Sequence, residues 1–271
     1  MQSEVRLISV SLANDKAPDG PITITVTEQD YGGKTGNTGI TGTNTDVTWN
    51  VGPLDRFTVT ANPTSLAAQA ASTITITAKD AGGNTVTTYQ NTNAMTLSHN
   101  GLATAAQTTW GGTGVTDDSP NPKQGSLASG SFISGVSSVV TLANDLAEGP
   151  VKVTVTENDT GYSKTGNTNT SGTNITWGAA ELDHFDVTAA PTSLAVGSAT
   201  TITIVAKDAT NNIITTYGNS SDISLTSDCT GTASQIIWGG TGVTDEGTSG
   251  SLAPGHFSNG VATVTLANKF D

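Results

Sequence analysis

The sequence repeats itself with a spacing of 128 residues, because Trp49 recurs as Trp177 and Trp110 recurs as Trp238. The segments around each pair also match over long stretches. LDRFTVTANPTSLAAQAASTITITAKDAGGNTVTTY, which starts at Leu54, returns one period later as LDHFDVTAAPTSLAVGSATTITIVAKDATNNIITTY. A fixed period of this length indicates one structural unit copied in tandem. The repeat therefore restricts the fold to a string of similar units.

The hydrophobic pattern within one period predicts β-strands. From Thr73 to Lys79 apolar residues alternate with threonines, which is typical of a strand with one buried and one wet face. Turn signals are frequent, and helix signals are nearly absent. The predicted strands are A at 55–60, B at 73–79, C at 85–89, D at 94–98, E at 131–142, F at 151–156 and G ending at Trp177, with a long polar excursion at 103–130. Short strands in this number predict an all-β fold of tandem immunoglobulin-like β-sandwiches.

Both ends of the sequence are predicted to lie inside a repeat. The segment VSLAND at 10–15 matches VTLAND at 140–145, so residues 1–50 are expected to hold the end of strand E and strands F and G of one unit. Residues 51–180 are expected to form a complete sandwich, and residues 181–271 to hold strands A to E of a further unit. The linker before Leu182 is only four residues long, from Gly178 to Glu181, which favours an elongated rod.

Two explanations of the incomplete ends stay open. In the first, the sequence is a piece of a longer array. In the second, copies polymerise head to tail, and strands F and G of one copy complete the A–E half of the next. The residues expected at this contact are Ile22, Ile24, Val26, Val47, Trp49, Val264 and Leu266. A partner is expected in either case, because an apolar face with unpaired strand edges is unfavourable in water.

The charge of the chain narrows the range of partners. The net charge is −13 with only ten Lys and Arg residues, which argues against nucleic acid and against anionic membrane surfaces. No apolar run approaches the length of a membrane span, so membrane insertion is not expected.

Catalysis is not expected from this sequence. The three histidines, His99, His184 and His256, do not recur between repeats, and no nucleophile–histidine–acid set repeats either. One cysteine and scattered histidines exclude zinc sites in practice. No enzyme activity and no cofactor are therefore predicted, with calcium as the one metal considered.

The calcium hypothesis rests on recurring acidic turns. Asp117 and Asp118 recur as Asp245 and Glu246, and clustered carboxylates in turns suit a hard cation. The alternative, which the sequence favours, is that these side chains cap turns through bonds to the nearby backbone.

The tryptophans of the polar excursion raise a second ligand hypothesis. Trp110 and Trp238 lie in glycine-rich segments, and an exposed indole ring can stack on a sugar. The alternative, again favoured, is that each ring packs its loop against the sandwich.

The pattern LDHF, PTSLAVGSATTITIVAKDATNN, TTY and FSNGVATVTL resembles the bacterial immunoglobulin-like repeats of large surface proteins, both adhesins and surface-layer proteins. The resemblance covers nearly the whole chain. It implies an extracellular or cell-surface location and a structural role in a filament, stalk or surface array whose partners are copies of itself. The alternative is an adhesin module that recognises a glycan or a host protein through the loops of Trp110 and Trp238.

Overall fold

The computed structural model describes residues 11–13, 19–27, 35–37, 47–118, 124–159 and 163–269. Within these ranges the chain consists of β-strands and one 3-10 turn at Ala105–Gln107, which confirms the predicted all-β fold class. No helix in the described ranges has the length and apolar character that a membrane crossing requires. Below, the N-terminal segment denotes the described residues before 51, the middle unit residues 51–180, and the C-terminal unit residues 181–269.

The N-terminal segment contains four short strands in two antiparallel pairs. They are β1 (Asp19–Ile22), β2 (Thr25–Thr27), β3 (Thr35–Asn37) and β4 (Val47–Trp49). Strand β1 pairs with β4, and β2 pairs with β3. Of the predicted strand-E tail, residues 11–13 are described without strand structure, while Val10, Asn14 and Asp15 lie outside the described residues.

The middle unit is a two-layered β-sandwich. Its strands are β5 (Arg56–Asn62), β6 (Ser65–Ala67), β7 (Ala71–Lys79), β8 (Met95–His99), β9 (Thr108–Gly112), β10 (Val115–Asp117), β11 (Gln124–Leu127), β12 (Phe132–Ile133), β13 (Val136–Ser137), β14 (Val140–Asn144), β15 (Val153–Thr156), β16 (Thr165–Asn167) and β17 (Thr176–Gly178). One sheet has the order β10-β11-β8-β15-β16, and the other has the order β12-β13-β7-β14-β9 with β5 also paired to β7. Alternate residues of both sheets, such as Ile76 and Leu97, meet in one buried core.

The C-terminal unit repeats part of this arrangement. Its strands are β18 (His184–Ala190), β19 (Ala199–Lys207), β20 (Ile223–Thr226), β21 (Ile236–Gly239), β22 (Val243–Asp245), β23 (Ser249–Leu252) and β24 (Val261–Asn268). They form the sheets β18-β19-β24-β21 and β20-β23-β22, which enclose a second and smaller core. The domain limits placed at residues 50 and 180 from the sequence stay predictions.

Three predicted elements differ from the observed ones. Predicted strand C is a turn in which the Tyr89 amide donates to the Val86 carbonyl, and both side chains face the core because a turn can bury apolar residues as well as a strand does. The polar excursion contains strands β9, β10 and β11. Strand β9 belongs to the sheet of β7 and β14, and strands β10 and β11 belong to the sheet of β8 and β15. Predicted strand E is divided into β12, β13 and β14, and Gly135, with φ of +77°, bends the chain between the first two.

Candidate functional site

The middle unit shows how one unit of the repeat is completed by the strands of its last third. Strand β8 pairs with β11 along one edge and with β15 along the other. Val153 and Val155 of β15 are fully buried in the core between the sheets. Strand β15 therefore satisfies a sheet edge and fills the core at the same time.

Strand β17 completes the opposite side of the middle unit and brings Trp177 into the core. The indole is 1% exposed. Four contacts join β17 to the loop 64–70: Thr176 N donates to the Thr64 carbonyl at 2.8 Å, Trp177 pairs in parallel with Leu66, Ala68 N donates to the Gly178 carbonyl at 2.6 Å, and Trp177 Nε1 donates to the Ala70 carbonyl at 2.9 Å. The buried indole thus has a partner for its only donor.

Strand β5 is covered by the segment between β15 and β17. Its residue Val59 is fully buried, and Ser171 Oγ donates to the Val59 carbonyl. Gly166 of β16 crosses so close to Phe57 that an added Cβ would lie 2.3 Å from the Phe57 carbonyl oxygen. Only glycine allows this approach, and Gly36 is the sequence counterpart in the N-terminal segment.

The C-terminal unit exposes the surfaces that these strands cover in the middle unit. Val187, the counterpart of Val59, is 61% exposed, and Leu194, the counterpart of Leu66, is 41% exposed. Strand β20, the counterpart of β8, pairs with β23, and no described strand pairs with its other edge. An apolar face beside an unpaired edge is the arrangement that a further strand would cover.

A cavity of about 300 Å³ opens on this face of the C-terminal unit. Its lining includes Thr192, Leu194, Val196, Ser198, Leu266 and Asn268. The first four are the counterparts of the residues that hold β17 in the middle unit.

The N-terminal segment carries the matching set of apolar side chains. Val26, the counterpart of the buried Val155, is 69% exposed. Ile22, Ile24, Val47 and Trp49 are half-buried, and Ile22 pairs with Val47. A cavity of about 320 Å³ is lined by Leu12, Ile24, Val26, Val47 and Trp49.

The two predicted assembly residues of the C-terminal unit have different positions. Leu266 lines the cavity and pairs with Trp238 across β24 and β21. Val264 is 1% exposed and packs in the core of its own unit. Val264 therefore offers little surface to a partner, because the alternation along β24 turns it inward.

Glu157, the residue that follows strand β15, is a buried acid of the middle unit. Tyr89 Oη donates to Glu157 Oε1 at 2.6 Å, and Glu157 Oε2 has no hydrogen-bond partner among the described residues. Burial raises the pKa of Glu157, the bond from Tyr89 opposes this, and the nearby Asp159 raises the pKa further. Asp159 is itself held by Thr92, whose amide and hydroxyl both donate to it.

The acidic turns considered for calcium make bonds within their own loops. Asp245 Oδ1 accepts from the Trp238 amide at 3.2 Å and from the Gly247 amide at 3.0 Å, and Glu246 Oε2 accepts from a serine hydroxyl at 3.5 Å. Asp118 accepts from Ser126 at 3.4 Å. Among the described residues no three acids, histidines or cysteines cluster as metal ligands would. Calcium at Asp117, Asp118, Asp245 and Glu246 stays a prediction.

The tryptophans considered for glycan contact are buried. Trp110 is 3% exposed and Trp238 is 7% exposed. Each ring lies over a glycine of the opposite sheet, Gly125 or Gly250, where an added Cβ would contact the indole at 2.7 Å or 3.0 Å. Neither ring presents a face on which a sugar could stack, so the structure contradicts the glycan role proposed for them and supports the packing alternative.

Sequence reasoning missed the joints at which each unit begins. Asp208 accepts bonds from Ala180 N, Thr210 N and Asn212 N, and Asp80 accepts from the Gly52 amide one period earlier. Burial raises the pKa of Asp208, but the bonds from Asn212, Ala180 and Thr210 outweigh it and lower the pKa to about 2. The recurrence of Asp80 as Asp208, followed in both repeats by an asparagine, was the signal available in the sequence.

The same joint connects the middle unit with the C-terminal unit. Asn212 Nδ2 donates to the Asp145 carbonyl at 2.7 Å, and Asn212 Oδ1 accepts from the Ala147 amide at 3.0 Å. Thr210 Oγ1 also donates to the Asp145 carbonyl at 3.0 Å. One loop therefore binds the chain that enters its own unit and a turn of the preceding unit.

No protein-family model matches the sequence, and no curated protein matches it. Several solved structures are similar to this chain. The Escherichia coli adhesin FdeC is 20% identical with a TM-score of 0.37, over 82% of this chain and 59% of that one. The Yersinia pseudotuberculosis adhesin InvE is 16% identical with a TM-score of 0.32, over 79% and 51%.

A surface-layer protein, SbsC domains 1–6, is also similar, with 15% identity and a TM-score of 0.24 over 93% of this chain and 27% of that one. This chain spans between a quarter and three fifths of these three proteins.

Proposed function

We propose that this chain is a structural building block of an extracellular or cell-surface filament, stalk or array. Copies join head to tail because the N-terminal segment of one copy supplies strands to the C-terminal unit of the next. The surface location rests on the resemblance of the repeat pattern to bacterial surface proteins. The proposed role is mechanical and requires no catalytic group or cofactor.

The observation that carries the proposal is a reversal of burial between equivalent residues. Val59 and Val155 both belong to the core of the middle unit and are fully buried, whereas their counterparts Val187 and Val26 are 61% and 69% exposed. One exposed residue, Val26, lies in the N-terminal segment, and the other, Val187, lies in the C-terminal unit. Joining these surfaces in two copies would give both residues the burial that their counterparts have.

The hydrogen-bonding edges support the same pairing. In the middle unit Val155 of β15 lies opposite Leu97 of β8, so Val26 of β2 is expected opposite Leu225 of β20. Each of these two edges has no strand partner within the described residues. Antiparallel addition of β2 to β20 would satisfy both rows of backbone groups at once.

Burial of apolar side chains would favour this contact. Burying Ile24, Val26, Val47 and Trp49 contributes about 1.5–3 kcal/mol for each side chain before the cost of association is subtracted. The surface of the C-terminal unit is already shaped, which lowers the ordering cost.

Deletion of residues 1–50 tests the proposal. The full chain is expected to form filaments or a ladder of oligomers in electron micrographs and by light scattering, with a mean size that rises with concentration. The deleted chain is expected to remain a single particle. Filaments of unchanged repeat from the deleted chain, or a full chain that stays monomeric at all concentrations, would contradict strand complementation between copies.

A further inference from the structure

The cavity of the C-terminal unit has the lining of the Trp177 site one repeat earlier. The four residues that contact β17 in the middle unit are Thr64, Leu66, Ala68 and Ala70, and their counterparts Thr192, Leu194, Val196 and Ser198 all line the cavity. Leu266 and Asn268, also in the lining, are the counterparts of Leu142 and Asn144. We name these six lining residues of the C-terminal unit the socket.

The loop of the socket already has the backbone conformation that receives a tryptophan in the middle unit. Gly197 N donates to the Asn268 carbonyl at 2.8 Å, as Gln69 N donates to the Asn144 carbonyl at 2.8 Å. Ser198 N donates to the Ala195 carbonyl at 3.0 Å, and the equivalent bond one repeat earlier measures 3.1 Å. The socket is therefore formed before any partner arrives, which lowers the cost of binding.

Trp49 is the tryptophan of this chain with surface to offer. The other three indoles, at 110, 177 and 238, are between 1% and 7% exposed. Trp49 is half-buried, stands at the end of β4, and follows Thr48 as Trp177 follows Thr176. It also lines the apolar cavity of the N-terminal segment, so the residues around it are apolar.

We infer that the socket binds Trp49 of a second copy of this chain, with β4 of that copy parallel to Ser193–Ala195 and Trp49 Nε1 donating to the Ser198 carbonyl. The inference rests on the proposed head-to-tail assembly and specifies its register: Thr48 lies opposite Ser193, and Trp49 opposite Leu194. A tryptophan in a preformed apolar socket, oriented by one hydrogen bond, is typical of the residues that dominate binding interfaces.

A disulfide between two separate copies tests this register. One full-length variant carries Thr48→Cys and a second carries Ser193→Cys, both on a Cys229→Ser background, so that a bond forms only between molecules. Thr48 and Ser193 are exposed, and adjacent residues of paired strands lie within disulfide range. The mixture is expected to give a covalent dimer on mild oxidation, and a partner variant with Thr244→Cys on the far sheet is expected to give none.

The contribution of the indole is measured in the same assay. Adding Trp49→Ala to the Thr48→Cys variant is expected to lower the apparent affinity about a hundredfold, while Trp49→Phe, which keeps an aromatic ring but loses the N–H donor, lowers it about tenfold. On the other side of the contact, Leu194→Glu is expected to abolish the dimer without loss of folding, because Leu194 is at the surface. The matched control Ile133→Glu, at a residue that is 77% exposed on the middle unit, is expected to have no effect.

The outcomes separate this inference from the proposed function. Concentration-dependent oligomers with no disulfide between Thr48→Cys and Ser193→Cys, or with unchanged affinity after Trp49→Ala and Leu194→Glu, overturn the socket and leave head-to-tail assembly standing. A chain that neither oligomerises nor cross-links overturns both. A disulfide that forms equally well with the Thr244→Cys partner reports random collision, and it also overturns the register.

Discussion

The middle unit and the C-terminal unit contain the same aromatic cluster but differ in what covers the strand beside it. Phe57, Tyr89 and Phe132 form the cluster in the middle unit, with ring centroids 4.8–6.0 Å apart, and the corresponding rings of the C-terminal unit are 4.9–5.8 Å apart. The next inward residue of the same strand is nevertheless fully buried in one unit, as Val59, and 61% exposed in the other, as Val187. The half-sandwich thus has its core geometry with and without the covering strands.

This comparison indicates how copies would associate. Because the cluster, the loop of the socket and the β19–β24 pairing are all formed in the C-terminal unit, a partner strand would bind to an existing surface rather than induce one. Val187 is exposed where its counterpart Val59 is buried, and this difference makes substitutions at equivalent positions informative.

The largest contrast is expected between Val59→Asp and Val187→Asp. The first substitution places a charge in a fully buried site and is expected to unfold the middle unit, at a cost above about 4 kcal/mol. The second is expected to change the unfolding free energy of the single chain by less than about 0.5 kcal/mol, because Val187 is exposed, and to block assembly. Urea unfolding and light scattering measure the two effects. Normal assembly of Val187→Asp would refute the proposed contact face.

Trp177→Ala and Trp49→Ala form the second contrast. Loss of the buried indole is expected to destabilise the middle unit by about 3–5 kcal/mol. Trp49→Ala is expected to leave urea unfolding of the middle unit unchanged and to weaken self-association, which analytical ultracentrifugation measures. If Trp49→Ala lowers the stability of the middle unit as Trp177→Ala does, Trp49 belongs to the core of its own molecule and the comparison between the two residues fails.

The sequence was sufficient to predict the elements whose side chains alternate cleanly. Strand β7 was expected at 73–79 and is observed at Ala71–Lys79, since Ile74 and Ile76 mark an unbroken period of two. The segment 85–89 is a turn, although the sequence predicts a strand there. Its inward apolar residues, Val86 and Tyr89, are three positions apart, and this spacing fits a bend better than a strand. The sequence does not predict strands β9 to β11, because glycines 111, 112 and 125 stand where larger residues would signal a strand.

The candidate site was only partly predictable. The repeat identifies Ile24, Val26 and Trp49 as the counterparts of buried residues, and so it points to the N-terminal half of the contact. The socket could not be read from the sequence, because Leu194 and Leu266 are separated by more than seventy positions and meet only through the pairing of β19 with β24. The burial of Trp110 and Trp238 also depends on glycines of another strand that sequence spacing does not locate.

A smaller difference between the two units is expected from pH. Since burial raises the pKa of Glu157 in the folded middle unit, the folded state holds its proton more tightly than the unfolded state. The stability from this group is complete below its ordinary pKa of 4.5 and is lost as pH rises through the folded value. Burial alone would raise the pKa of Asp159, but the bonds from Thr92 and Asn93 outweigh it and lower the pKa. The stability from Asp159 is therefore present above its ordinary pKa of 3.8 and is lost as pH falls through the folded value.

The variant Glu157→Gln keeps the bond from Tyr89 and removes the charge. It is expected to raise the unfolding free energy of the middle unit at pH 7 by about 1 kcal/mol and to have no stabilising effect at pH 4. Thermal unfolding at several pH values measures this, and the transition of the C-terminal unit serves as the internal reference. A variant that destabilises equally at both pH values would show that the carboxylate is needed for packing, whatever its charge.

The smallest expected effect is at the joint between the two units. Asn212 bonds across it to Asp145 and Ala147, so Asn212→Ala is expected to cost about 1 kcal/mol in the C-terminal unit. Its more specific consequence is a looser orientation of the two units, since the variant loses two of the three described bonds from this loop to the turn at Asp145 and Ala147 and keeps the one from the Thr210 hydroxyl.

Spin labels at Thr75 and Ser224, both exposed and one in each unit, measure this orientation on a Cys229→Ser background. The distance distribution between the labels is expected to broaden in Asn212→Ala and to stay narrow in Thr216→Ala, an exposed threonine in the next turn. A joint that loosens without loss of the C-terminal core would lower the length of ordered filament while subunit affinity stays constant, because the socket and the joint are built from different loops. Equal broadening in both variants would show that the orientation is set by the short linker alone.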